Sequence, residues 1–191
     1  MFVNYLTLML INLVAGLALM AHFIYYGLHA APENRKPWVP GFAAVGLIAL
    51  VTGLHMIFNW PLPSSFNIAY GEMSAFFGVV FLAAALALAA GWSLLTVAIY
   101  AAFAGLAAIV LGIRIIWLGL SQQPILAGIG FILAGTSGPL LLAAQLWSAE
   151  RRLRQVAAIV LLVAALIFAL TGYLAYWGHM AQFLQWAPGT P

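Results

Sequence analysis

Two histidines, His55 and His179, are the residues of this chain best suited to bind a metal cofactor together. Each lies near the end of a long apolar run, so that if both runs cross a membrane, the two imidazoles lie at one depth on different helices. Imidazole is a common axial ligand of haem iron, and a helix bundle can hold a porphyrin without a covalent bond. The pair predicts a non-covalent haem b. The alternative is that each histidine only hydrogen-bonds a neighbour near the membrane interface.

Glu72 and Arg114 are the only carboxylate and the only cation expected inside or at the edge of the hydrocarbon. An ion pair between them is the simplest interpretation, because burying either charge alone costs several kcal/mol. Arg114 could instead bind an anionic group, such as a haem propionate or a substrate carboxylate, through its two-pronged guanidinium. Both interpretations can hold. A copper site formed by His55, His179 and Glu72 is the alternative metal centre.

The other histidines, His22 and His29, are seven residues apart and share one face of a helix. They cannot ligate opposite sides of one cofactor, so a second haem site would need a partner from another helix. His29 lies next to a basic loop and is interpreted as a solvated histidine at a helix end. Met56 and Met180 each follow a candidate ligand, and because adjacent helical residues point apart, they are expected to pack against the cofactor or lipid.

The composition excludes a water-soluble domain. Of 191 residues, 66% are hydrophobic and 5% charged, whereas a soluble protein has about a quarter of its residues charged. Lipid is therefore the expected solvent. The basic residues form two short clusters and no stripe, which excludes nucleic acid as a partner. The absence of cysteine excludes disulfides, thiolate metal sites and covalent Cys-x-x-Cys-His haem.

Six apolar runs are each long enough to cross about 30 Å of hydrocarbon as a helix. They span approximately residues 5–28, 41–59, 69–90, 93–120, 125–148 and 156–178. Barrel strands would alternate in polarity, whereas these runs are apolar all round. The sequence therefore predicts an all-α fold, a polytopic membrane helix bundle of six transmembrane helices in a single domain over residues 1–191.

Loop charges predict the orientation of the bundle. Arg35 and Lys36 follow the first run, and Arg151, Arg152 and Arg154 follow the fifth, so both clusters fall on one side. The loops of the other side, 60–68 and 121–124, contain no Lys or Arg. The positive-inside rule then places both termini outside the cytoplasm. Tryptophans, which prefer the interface, agree: Trp38, Trp92 and Trp147 fall at the basic side, and Trp60, Trp117, Trp177 and Trp186 at the other.

Small and polar residues within the runs indicate how the helices pack. Gly105, Gly112 and Gly119 recur every seven residues in the fourth run, and Gly128, Gly130 and Gly135 crowd the fifth. Such glycines favour close helix contact. Pro139, after Gly138, removes a backbone hydrogen bond and should kink its helix, for packing or to line a cavity. Asn12 is expected to form an interhelical hydrogen bond.

The segment 53–78, GLHMIFNWPLPSSFNIAYGEMSAFFG, combines several unusual features. Two prolines after Trp60 fix an extended backbone, and two serines make a turn. The loop predicts either a rigid lid, with Trp60 covering whatever His55 and Glu72 hold, or a plain interfacial turn.

The run from His55 to Glu72, with its Trp-Pro-Leu-Pro, Asn-Ile and Tyr-Gly-Glu elements, resembles a family of prokaryotic membrane proteins catalogued as domain of unknown function 981. The resemblance is most specific over about residues 53–78. It implies about six spans in a bacterial or archaeal cytoplasmic membrane, and it assigns no catalytic residue. The chain departs from the family pattern at Met73, where a proline commonly follows the acidic residue.

Three functions are consistent with these features. The first is a b-haem electron carrier that exchanges electrons with quinol or with a larger respiratory-type complex, using His55, His179 and Arg114. The second is a cofactor-free accessory or structural subunit that docks onto another membrane protein or onto copies of itself. The third is a small-molecule or proton carrier that uses Glu72 and Arg114. The chain shows no nucleophile triad, so the sequence assigns no enzymatic reaction.

Overall fold

The computed structural model describes residues 5–147 and 151–184, and within them it contains helices and no strands. Six helical segments are long and apolar enough to cross a membrane, which confirms the predicted all-α bundle. These segments are Leu6–Gly27, Pro32–Asn59, Asn67–Ala90, Leu95–Leu118, Pro124–Leu146 and Arg151–Gln182. Ser148, placed in the fifth predicted run, and Trp186 lie outside the described residues.

The segments divide into seven α-helices. These are α1 (Leu6–His22), a short α2 (Pro32–Arg35), α3 (Val39–Asn59), α4 (Met73–Ala90), α5 (Leu95–Leu118), α6 (Pro124–Leu146) and α7 (Arg151–Gln182). A π-helical turn, Phe23–Gly27, extends α1, and another, Asn67–Glu72, leads into α4. In the first turn, the Leu28 N–H reaches the Phe23 carbonyl at 2.8 Å, one residue farther back than in an α-helix.

Left-handed residues end three of the membrane helices. Gly91, with φ of 71°, ends α4, and Gly119, with φ of 65°, ends α5. Glycine adopts this conformation without steric cost. The role predicted for Gly119 in helix packing is therefore wrong, because it caps α5 and a Cβ there would touch nothing within 4 Å. Trp60 ends α3 with φ of 46°, which is uncommon for a residue with a side chain.

The membrane helices form a closed ring in chain order. Each packs against the next one, and α7 returns to pack against α1. Within this ring α1 lies between α3 and α7, and α4 and α5 are the least closely packed neighbours. We call the end of the bundle that carries Arg35, Arg151 and Arg154 the basic end, and the end that carries His55 and His179 the histidine end.

Glycine brings α5 and α6 into backbone contact, as the sequence predicted. A Cβ on Gly105 would collide with the carbonyl oxygen of Gly135, and one on Gly112 would lie 2.7 Å from the carbonyl oxygen of Gly128. Pro139 explains part of this geometry, because it has no N–H to donate to the Gly135 carbonyl four residues earlier. The Gly135 carbonyl faces Gly105.

Polar and small residues also join α1, α3 and α4. The Asn12 side-chain amide donates to the Val45 carbonyl at 2.9 Å, which confirms the predicted interhelical hydrogen bond. Gly78 of α4 lies directly against the backbone of Leu50 in α3. Close packing replaces the hydrophobic effect as the driving force between helices in lipid, so these contacts hold the ring together.

Candidate functional site

A cavity of about 140 Å³ lies at the centre of the helix ring. All six membrane helices contribute to its wall, which is mostly apolar. Met9 and Leu13 of α1, Phe77 of α4, Phe131 of α6 and Phe168 of α7 are among the lining residues. No charged side chain and no histidine lines the cavity within the described residues. The space therefore suits an uncharged, mainly apolar molecule.

Small residues on α5 and α6 leave this space open. Ala104, Gly105 and Ala108 line it from α5, and Gly135 and Gly138 from α6. A Cβ on Gly138 would collide with the Ala101 carbonyl, so this glycine permits close contact as well as lining the cavity. The Gly138–Pro139 segment therefore serves both packing and the cavity wall. Helices that touch through glycine have little side-chain volume with which to fill the centre of the ring.

Four polar side chains reach the cavity wall, namely those of Asn12, Tyr70, Ser74 and Ser137. Three of them already donate to backbone carbonyls: Asn12 to Val45, Ser74 to Ala49 at 3.1 Å, and Ser137 to Ala134. The Tyr70 hydroxyl forms no hydrogen bond with any described residue. Among the described residues, it is the one polar side chain of this wall that a ligand could engage without competing with an existing side-chain hydrogen bond.

Aromatic contacts and an ordered loop hold Tyr70 in place. Its ring meets Phe131 edge to face, with centroids 5.7 Å apart, and lies nearly parallel to Phe66 at 6.3 Å. The preceding loop is fastened by Asn67, whose buried amide accepts from the Leu62 N–H at 3.0 Å and donates to the carbonyls of Leu62 and Ser64. The Trp-Pro-Leu-Pro segment thus positions Tyr70 through Asn67.

His55 and His179 lie on helices that are not neighbours in the ring. His55 is exposed, and its Nδ1 is 3.1 Å from the hydroxyl of Tyr5 at the start of α1. The two rings meet edge to face with centroids 5.3 Å apart. His179 is partly exposed on α7, and its ring contacts that of Phe183 at 5.6 Å. Because α1 separates their helices and neither lines the central cavity, haem ligation by this pair stays a prediction.

Glu72 and Arg114 form no ion pair with each other in the described part of the chain. Arg114 is exposed on α5, and its guanidinium lies over the ring of Trp117 at 4.9 Å from the centroid. This cation–π contact, one turn along the helix, stabilises an arginine at the membrane interface. Glu72 is half-buried in the π-helical turn before α4, and Trp60 is 50% exposed. A ligand shared by these residues stays a prediction.

The two histidines near the basic end have different surroundings. The Trp38 indole N–H donates to His22 Nδ1 at 3.1 Å, so an aromatic neighbour satisfies this exposed ring. His29 is largely exposed between the first two spans. Partial desolvation of its imidazole and the charges of Arg154 and Arg35 lower its pKa below 6.5. Neither arrangement resembles a haem-ligand pair.

Metal-ligating side chains do not cluster among residues 5–147 and 151–184. No group of three or more His, Cys, Asp or Glu is close enough there to hold an ion. Copper binding by His55, His179 and Glu72 therefore has no preformed site in this arrangement and stays a prediction. Of the methionines beside the histidines, Met56 is fully buried against Gly71 and Met180 is 75% exposed on the surface of the bundle. Packing of either against a cofactor or lipid stays a prediction.

Comparison with known families places this architecture in a wider group. The sequence profile described as protein of unknown function (DUF981) matches residues 1–182. The chain belongs to the DUF981 family. This confirms the resemblance based on the His55–Glu72 run and extends it over almost the whole chain. No curated protein and no solved structure matches the chain.

Sequence reasoning did not identify the central cavity of this DUF981 protein or the role of Tyr70. The residue was visible within the Tyr-Gly-Glu element, but only the fold turns its ring toward Phe131 and the ring interior. Charged residues and histidines are rare in a membrane span, so a sequence favours them as candidate site residues. The cavity instead depends on apolar residues from six helices, and no local pattern reports such an arrangement.

Proposed function

We propose that this protein is a membrane-embedded binding protein, or carrier, for a small uncharged molecule that occupies the central cavity. The observation that carries the proposal is the Tyr70 hydroxyl, which lies in a mostly apolar wall and has no hydrogen-bond partner among the described residues. A ligand that fits is mostly apolar and has one oxygen that accepts from or donates to a phenol. A quinol head group, the possible partner expected from the sequence, is a single ring, and either of its two hydroxyl groups could form this hydrogen bond.

The cavity volume limits the size of the ligand. An engineered apolar cavity of about 150 Å³ in another protein binds benzene, so a space of about 140 Å³ suits one aromatic ring or a short chain. A haem is far larger than one ring. Haem-based electron transfer would therefore need a different site or an expanded ring of helices, and the small-molecule function has the better geometric support.

A route from the membrane supports a hydrophobic ligand. The α4–α5 seam is the loosest in the ring, and Phe76 and Tyr100 meet across it with ring centroids 6.1 Å apart. Phe76 also lines the cavity, together with Ala104 and Ala108 on the facing helix. Rotation of these aromatic side chains would connect the cavity to the lipid, where an apolar molecule accumulates.

The test uses phenol and toluene, which have nearly the same shape but differ in the hydroxyl. Carbon-13-labelled methionine methyl groups report binding by NMR in detergent micelles, since Met9, Met20 and Met73 line the cavity and Met56 does not. Both probes should shift the cavity methyl resonances and leave that of Met56 in place. Tyr70→Phe should weaken phenol by about 2- to 12-fold and leave toluene unchanged, because one neutral hydrogen bond contributes about 0.5–1.5 kcal/mol.

A cavity-filling variant provides the control for location. Ala104→Leu adds carbon atoms inside the cavity and should suppress the shifts from both probes, whereas Ala89→Leu makes the same change at an exposed position of α4 and should not. Mass spectrometry of organic extracts should then find the native ligand with the wild-type protein and with Ala89→Leu only. If neither probe shifts the cavity methyl groups, or if Ala104→Leu has no effect, the proposal is wrong.

A further inference from the structure

A second, polar pocket lies at the basic end, away from the central cavity. Tyr25, Arg151 and Arg154 line a space of about 170 Å³ between the end of the first span and the start of α7. A single water needs roughly 10–15 Å³ of such space, so the pocket has room for a phosphate group and part of its carrier. Two arginines and a phenol provide donors from two helices.

The donors in this pocket are incompletely used. The Tyr25 hydroxyl interacts with the side chains of Arg151 and Gln155. Arg154 Nε is shielded from solvent and has no hydrogen-bond partner among residues 5–147 and 151–184. An unsatisfied polar group that is part of a guanidinium is costly, which points to a missing acceptor.

No carboxylate of the described residues neutralises these arginines. Glu33 and Glu72 are the only acidic side chains in ranges 5–147 and 151–184, and neither forms an ion pair with Arg151 or Arg154. The two guanidiniums are one helical turn apart and repel each other. The lowered pKa of His29, which arises in part from Arg154, reflects the same positive potential.

We propose that the pocket of Tyr25, Arg151 and Arg154 binds a phosphate group, carried by the head group of an anionic phospholipid or by a soluble phosphate ester. Guanidinium binds phosphate oxygens through paired, charge-assisted hydrogen bonds, and the Tyr25 hydroxyl can donate a further one. The bound anion relieves the repulsion between the arginines and gives Arg154 Nε its acceptor. The site is independent of the ligand in the central cavity.

The lipid arm of the test compares two bilayers. Protein is reconstituted in nanodiscs of phosphatidylcholine alone or mixed with phosphatidylglycerol, and native mass spectrometry identifies the phospholipid that remains bound. Phosphatidylcholine carries the same phosphate beside a cationic choline, which the arginines repel. Wild-type protein should therefore retain phosphatidylglycerol preferentially. Arg151→Gln and Arg154→Gln should each reduce that preference about fivefold.

Arg152→Gln is the matched control, because it removes the same charge from an exposed side chain of the same helix that does not line the pocket. Its preference should equal that of the wild type. Tyr25→Phe keeps every charge and the aromatic ring and removes only the hydroxyl, so it should lower the preference a few-fold. It tests the site even if an arginine variant fails to fold. Arg154→Lys keeps the charge without the planar fork and should give an intermediate value.

The soluble arm adds glycerol 3-phosphate to protein in phosphatidylcholine nanodiscs and measures the thermal midpoint. A stabilisation that Arg154→Gln removes and Arg152→Gln preserves identifies a soluble ester as the source. A response in the lipid arm alone identifies the phospholipid. If the wild type responds in neither arm, or if Arg152→Gln loses as much as Arg154→Gln, there is no site, and any preference is general surface electrostatics.

Discussion

Gly105 provides the sharpest test of how the ring is held together. In Gly105→Ala the new Cβ would overlap the carbonyl oxygen of Gly135 and lie 3.0 Å from Pro139 Cδ. The carbonyl belongs to the backbone of the facing helix, so no side-chain rotation can relieve the overlap. The two helices would have to move apart by about 1 Å, because they are packed at van der Waals distance.

The expected loss of stability follows from two opposing effects. Overpacking a close-packed site costs about 1–3 kcal/mol, whereas alanine is favoured over glycine inside a helix by up to about 1 kcal/mol. Gly105→Ala should therefore lower the free energy of unfolding by up to about 2 kcal/mol. Gly178 of α7 is the matched control, because a Cβ there would meet only the far end of Gln182 at 4.0 Å. Gly178→Ala should be neutral or slightly stabilising.

Reversible unfolding by sodium dodecyl sulfate in mixed micelles, followed by circular dichroism, measures both variants against the wild type. The informative quantity is the difference between the two glycines, which share the same chemical change. If Gly105→Ala proves as stable as Gly178→Ala, then α5 and α6 do not meet through their backbones, and the packing described for the ring is incorrect.

Three further predictions concern the loop, the basic end and the haem hypothesis. Asn67→Ala should lower stability by about 1–3 kcal/mol in the same unfolding assay, because it leaves the buried polar backbone of the loop unpaired, whereas Ser65→Ala should have little effect. By NMR, the pKa of His29 should lie below 6.5 and rise toward that value in Arg154→Gln. Because folding lowers this pKa, the folded state binds fewer protons than the unfolded state. The contribution of His29 to stability therefore declines as the pH falls from above 6.5 through the folded pKa. A measured pKa above 6.5 would contradict the assignment. If His55 and His179 ligate haem, protein from cells supplied with haem precursor shows a Soret band that His55→Ala or His179→Ala abolishes and His22→Ala does not; a colourless folded protein refutes the hypothesis.

Part of the site could be anticipated from single residues. Asn12 was expected to form an interhelical hydrogen bond, because an amide in hydrocarbon has few alternatives, and it does so with Val45. The glycines at 105, 112, 128 and 135 were expected to mark helix contacts, and they do. Gly119 shows the limit of such spacing: it continues the seven-residue repeat, yet it lies one position beyond the helix and ends it.

The histidines show a second limit of prediction from the sequence alone. Equal depth along two helices says nothing about whether those helices are neighbours, and the ring order places α1 between the helices of His55 and His179. The depth of Arg114 predicts an ion pair with Glu72, whereas the structure gives it an aromatic partner, Trp117, on its own helix. Depth follows from position along the chain, whereas proximity depends on the rotation of each helix and the order of the ring.

The sequence by itself determined the solvent, the number of spans and the family. Because exposed polar backbone groups are too costly in hydrocarbon, a long apolar run must form a helix. Counting such runs therefore gives the number of spans. Only the tertiary structure decided which faces of the helices point inward. The central cavity and the Tyr25–Arg151–Arg154 pocket arise from residues far apart in the chain. In lipid an apolar side chain is solvated as well outside the ring as inside it, so hydrophobicity does not indicate which face of a helix points inward. Close packing alone selects that face.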